Sequence, residues 1–169
     1  MSKKNEKEDS FRKFLDCLMD ACKNISENYF QLNVSQVDKH SKKIFRERIY
    51  CYELYHQLRT ILEDKFKYRY TLHGEVDKRG HEIISKNYVP DFIVHSPGCM
   101  EKNLIVIEVK ILKKNTKLKY DVDKIKYFIN EANYFKGIML LFGDSEKNTI
   151  ENKIKLTKRY IVITKIKYY

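Results

Sequence analysis

The sequence predicts an α/β domain: a central mixed sheet of four to five strands flanked by helices, with an extra helix on its N-terminal side. Three observations carry that class. Two long N-terminal segments repeat apolar side chains at helical spacing. The run Asn103 to Lys110 is apolar on both faces until its last residues, the pattern of a central strand. Beyond it a helical stripe leads to a second doubly apolar run, Gly137 to Phe142, and strand, helix, strand is the order of a right-handed parallel crossover.

In chain order, Phe11, Phe14, Leu15, Leu18, Cys22 and Ile25 recur at helical spacing, with Asp9 or Ser10 as the cap. A polar stretch from about Asn28 to Lys42 follows, where Ser35 or Ser41 opens the next helix. Ile44 to Glu63 is the strongest helix, apolar over a wide arc through Phe45, Ile49, Tyr52, Tyr55, Leu58 and Leu62, so it is expected to be covered on more than one side. Tyr68 to Val76 alternates, with Tyr68, Tyr70, Leu72 and Val76 on one side and Arg69, Thr71, His73 and Glu75 on the other, and reads as a strand. Asp77 to Gly80 supplies turn chemistry. A second main strand begins at Asp91, is broken by Ser96-Pro97-Gly98, and is followed by the strand Asn103 to Lys110. Asp121 or Asp123 opens a helix with the stripe Val122, Ile125, Phe128, Ile129 and Ala132. The strand Gly137 to Phe142, a short helix from about Ser145 and a strand Tyr160 to Ile166 complete the chain.

A chain of 169 residues accommodates one ordinary domain. Within it we expect a flexible leader over 1–9, a helical extension over 10–41, a core over 42–142, and a C-terminal helix and strand over 143–169. Lysine and arginine exceed aspartate and glutamate by eleven (34 minus 23), a positive field that attracts polyanions and makes nucleic acid the first partner to consider. A lysine-rich vocabulary alone also produces such an excess, so the site must decide. Cys17, Cys22, Cys51 and Cys99 form no C-x-x-C pair and sit at no zinc-ligand spacing, and they read as reduced thiols of a cytoplasmic protein. No segment has the length of a membrane span or the pattern of a signal peptide.

The chemistry concentrates where the third main strand ends. Glu108 and Lys110 are two residues apart and project from one face, where Leu104 and Val106 precede them. Ionisable groups ending a buried row require partners, because burial of an unpaired charge costs several kcal/mol. Asp91, directly after Pro90, opens a neighbouring apolar strand, and a hairpin brings it beside Glu108. Two converging carboxylates suit a hard divalent cation such as magnesium, which retains waters and accepts phosphate oxygens. Such a cation activates water and offsets charge on a phosphodiester, and the Lys110 ammonium adds positive charge where negative charge develops. The structural alternatives are a Glu108–Lys110 salt bridge and turn chemistry at Asp91.

Pro90-Asp91 followed after a hairpin by Glu108-Val109-Lys110 resembles the signature of the PD-(D/E)XK nuclease superfamily, and the order of elements from about Lys42 to Phe142 is similar to that family's helix, three strands, crossover helix and fourth strand. The resemblance implies a restriction-endonuclease-like core and a magnesium or manganese site built from Asp91, Glu108 and the Val109 carbonyl, with Lys110 as the catalytic cation. It also implies a carboxylate on the first core helix, for which Glu47 is favoured over Glu53 because it falls on an inward stripe near the helix start. The activity implied is phosphodiester hydrolysis, with DNA ahead of RNA, as a DNA endonuclease; a nucleic-acid-binding module keeping the fold without catalysis is the alternative. Glu75 is an accessory candidate on the polar side of its strand, and His95 shares strand parity with Asp91. Lys113 and Lys114 are expected to contact the phosphate backbone. A compact chain without an added recognition domain suggests a homodimer or a larger complex, with no membrane partner.

Overall fold

The computed structural model describes residues 2–34, 42–66, 69–76, 86–112, 116–143 and 160–165. Helix α1 spans Lys3–Asn24 and starts two turns before the expected cap. Its Lys- and Glu-rich opening is good helix sequence, the Ser2 hydroxyl accepts from the Asn5 N–H at 3.3 Å, and Glu6 and Glu8 are held by Arg69 and Lys136. The residues expected as a leader are therefore helical from Lys3 onward. The polar stretch that follows holds a short helix α2, Glu27–Phe30, and the strand β1, Gln31–Val34, paired antiparallel with β2, Lys42–Phe45. Helix α3 then runs Glu47–Phe66.

The main sheet is built from β3 (Thr71–Gly74), β4 (Phe92–His95), β5 (Asn103–Ile111), β6 (Lys136–Phe142) and β7 (Tyr160–Lys165). Helix α4, Lys119–Asn130, crosses between β5 and β6. Strand order follows chain order; β3, β4 and β5 pair antiparallel, while β5, β6 and β7 pair parallel. The protein is thus α/β with a mixed sheet between helical layers.

Each face of the sheet has its own apolar core. Phe14 and Leu18 of α1 and Leu54 and Leu58 of α3 pack with Leu72, Ile105, Ile107, Ile138 and Leu140. Ile125 and Phe128 of α4 pack with Ile93, Val106, Met139 and Leu141 on the other side. Tyr50, fully buried on α3, stacks on Phe142 at 3.9 Å between centroids, and Phe30 meets both rings edge-on. This aromatic group joins the end of β6 to the start of α3 and so fixes the helix end from which Glu47 projects.

Two side chains depart from simple alternation. Leu104 packs in the α1–α3 core and not beside Val106, because the β4–β5 register shifts at Val94 and His95. Val76 packs on the α4 side and not with Leu72, because Glu75 has φ 46° and turns the chain after Gly74. The ends expected of that strand shrink accordingly to Thr71–Gly74. The turn at Asp77 to Gly80, Tyr68, and the helix expected from Ser145 lie outside the described residues. No described helix is long and apolar enough to cross a membrane.

Candidate functional site

Strand β5 outruns its neighbour. Its pairing with β4 ends at Phe92 opposite Ile107, whereas its pairing with β6 continues to Ile111 opposite Phe142. Successive N–H groups of a strand point to opposite edges, so Val109 and Ile111 present donors where β4 has ended. Carboxylates take the missing acceptors' place. Asp91 Oδ2 accepts from the Val109 N–H at 2.7 Å, and Glu47 Oε2 accepts from the Ile111 N–H at 3.1 Å. Glu47 is the first residue of α3, where the helix N-terminus favours a negative side chain.

On the α4 face of the same strand end, Glu108 is 1% exposed. Its Oε2 accepts from Lys124 Nζ at 2.7 Å, and its Oε1 is buried without a hydrogen-bond partner among the described residues. Lys110, one step along this face, places Nζ 3.4 Å from Glu47 Oε1 and 4.0 Å from Asp121 Oδ2. Lys124 also donates to the Val89 carbonyl at 3.1 Å, which ties α4 to the segment entering β4.

Four carboxylates (Glu47, Asp91, Glu108, Asp121) therefore meet two ammonium groups (Lys110, Lys124), and with all ionised the cluster has two surplus negative charges, four minus two. Burial raises the Glu108 pKa well above the ordinary carboxyl range, the neighbouring Asp91 adds to the rise, and Lys124 offsets only part of it. Burial also raises Asp91 against the opposing Val109 hydrogen bond and Lys124. Asp121 is raised by burial, with Lys110 and Lys124 opposing. For both lysines burial acts downward, but Glu47 and Asp121 around Lys110, and Glu108 with Asp91 and Asp121 around Lys124, outweigh it and hold the ammonium forms.

Of the residues singled out in the sequence, Glu47, Asp91, Glu108, Val109 and Lys110 come together here. Glu53 is elsewhere on α3, accepting from Gln57 at 2.8 Å. Glu75 is exposed and paired with Arg48 at 3.1 Å. His95 lies at the other end of β4 from Asp91, its Nε2 2.9 Å from His73 Nδ1. Lys113 and Lys114 lie outside the described residues. The sequence pattern marks Asp121 only as a helix opener and gives no role to Lys124. Both lie on the inward stripe of α4, at helical spacing from Ile125 and Phe128, and charged side chains on that stripe were the available signal.

Among the described residues no three or more His, Cys, Asp or Glu side chains converge on one cation position. Among the described residues the donors at hand are Asp91 and Glu108, the latter with a buried oxygen that has no hydrogen-bond partner there. That set fits magnesium, which takes one or two carboxylates and fills its remaining positions with water and phosphate, better than it fits zinc. Protein-family models, curated proteins and solved structures offer no match to the chain.

Proposed function

We propose that the chain is a metal-dependent nuclease, a DNA endonuclease of PD-(D/E)XK type with a restriction-endonuclease-like core. The observation that carries this reading is Glu108: a carboxylate almost without solvent, one oxygen without a hydrogen-bond partner among the described residues, in a cluster with surplus negative charge at the end of a central strand. A buried negative surplus is costly unless a cation or a proton offsets it. Asp91 and Glu108, with the Val109 carbonyl, are the groups that would hold magnesium or manganese. When bound there, the cation supplies Lewis acidity toward a phosphodiester and lowers the pKa of water.

The chain's own residues do the rest. Asp91 is oriented by the Val109 N–H, so its carboxylate is fixed before substrate arrives. Lys110, kept charged by Glu47 and Asp121, supplies a positive group one step from Glu108 to face the phosphate oxygens. Lys124 neutralises Glu108 and fixes its rotamer. The excess of lysine and arginine supports a polyanionic substrate.

A second reading is a nucleic-acid-binding module without catalysis. The 2.7 Å Lys124–Glu108 pair favours it, since an ammonium already occupies one Glu108 oxygen. Cleavage of supercoiled, linear, branched and single-stranded substrates with magnesium or manganese separates the two. We expect cutting that falls roughly 100-fold or more in Asp91→Ala, Glu108→Ala and Lys110→Ala. Activity surviving all three substitutions would overturn the nuclease mechanism, and salt-dependent binding without any cutting would establish the second reading.

A further inference from the structure

An aromatic surface adjoins the carboxylate cluster. Tyr120, in the first turn of α4, is 61% exposed. Its ring centroid lies 5.7 Å from Lys124 Nζ, the same ammonium that touches Glu108, and 5.6 Å from the Tyr88 ring. Tyr88 in turn meets Tyr127 edge-on at 5.4 Å. Lys86 Nζ lies 5.4 Å from the Tyr88 ring and 5.5 Å from the Tyr127 ring, and the Lys86 backbone N–H donates to the Tyr127 hydroxyl at 3.2 Å. The strip from Glu108 through Lys124, Tyr120 and Tyr88 to Lys86 is thus continuous. It is anchored at both ends, by Lys124 on the Val89 carbonyl and by Tyr127 on Lys86. The cations lie within the range of favourable attraction to the rings.

We infer that this strip holds an unpaired nucleobase beside the phosphodiester presented to Glu108, so that the site takes single-stranded or locally opened nucleic acid in preference to a closed duplex; this rests on the nucleic-acid reading above. An exposed tyrosine face with a lysine at the outer end of the strip matches a base attached to a phosphate: the ring stacks, and the exposed Lys86 ammonium meets the backbone charge. Bases within a duplex are already stacked on both faces and gain nothing from it. The segment Lys86 to Pro90 leads straight into Asp91, so the strip adjoins the carboxylates along the chain as well as through Lys124.

The test measures binding without turnover. Fluorescence anisotropy in EDTA compares a short labelled oligothymidylate, an oligouridylate and a hairpin duplex against the full chain and its Tyr120→Phe, Tyr120→Leu and Lys86→Ala variants. Tyr120→Leu, which keeps apolar bulk but removes the π face, is expected to weaken single-strand binding roughly tenfold and duplex binding by less than about twofold, while Tyr120→Phe stays within about twofold of the parent. Lys86→Ala weakens the single strand more than the duplex. The two single strands separate DNA from RNA as the source of the base. Equal losses for single strand and duplex, an unaffected Tyr120→Leu variant, or no single-strand binding overturns the inference. Because cleavage is not read, selective loss in Tyr120→Leu supports it even where the cleavage panel defeats the nuclease reading, and failure here leaves duplex cutting by that panel intact.

Discussion

Glu108 sets the electrostatics of the cluster, and its burial has a measurable consequence. A carboxyl whose pKa is higher in the folded than in the unfolded chain favours folding while it is protonated, and that contribution is lost as pH rises from the ordinary carboxyl range through the raised value. Glu108 is such a group. The stability of Glu108→Gln relative to the parent, both free of divalent cations, is therefore expected to shift in the variant's favour as pH rises through the window that opens at the ordinary carboxyl value, about 4.3. Denaturant unfolding across that window measures it, and a difference that is flat or falls with pH contradicts the assignment. At this scale the sequence was informative where residues were close together: two positions along one strand put Glu108 and Lys110 on a common face. Lys124 was harder to see, because its partner is on another element and a helix stripe searched for apolar residues skips a lysine within it.

Among the elements, β5 matters most because it continues past β4. Asp91 has a backbone task besides the chemical one proposed for it, since it accepts the Val109 N–H. Loss of that acceptor leaves a buried donor unsatisfied, at a cost of about 1–3 kcal/mol. Asp91→Ala is thus expected to lose about that much stability in the absence of metal, and Asp91→Asn, whose side-chain carbonyl still accepts, distinctly less. Equal losses in urea unfolding would remove the backbone task. The strands and helices with strong periodicity were legible: α3, β5, α4 and β6 agree with their patterns within a few residues. The β1–β2 pair was not: Gln31 to Val34 alternates polar and apolar side chains over only four residues, too short a run to mark a strand, and Lys42 to Phe45 sets two lysines before two apolar residues without alternating. The early start of α1 has a local basis in the Ser2 cap and the Lys- and Glu-rich opening, while its ion pairs to Arg69 and Lys136 come from residues far along the chain.

For the whole molecule, the α/β class followed from the doubly apolar strands, which must be covered on both faces, and α1 with α3 on one side and α4 on the other provide that cover. The carboxylate cluster lies at the C-terminal end of the parallel strands β5 and β6, where open α/β sheets commonly bind ligands. Cation binding to the folded chain alone must raise its unfolding temperature. Magnesium at about 100 times its dissociation constant contributes about 2.7 kcal/mol, which for a domain of this size is a rise of roughly 5–10 °C. Thermal unfolding with and without magnesium is expected to show that rise in the parent chain and to lose it in Glu108→Ala; no rise in the parent at saturating magnesium or manganese would exclude a metal centre.

The unequal lengths of β4 and β5 also make the cluster a proofreader of its own assembly. Side chains alternate along a strand, so a slip of one residue between the two swings Asp91 away from Val109, strips that donor of its acceptor and strands Glu108 without its neighbouring carboxylate. A misaligned sheet would be less stable and would lack the cluster. Only the chain folded in the correct alignment brings these carboxylates and ammonium groups together.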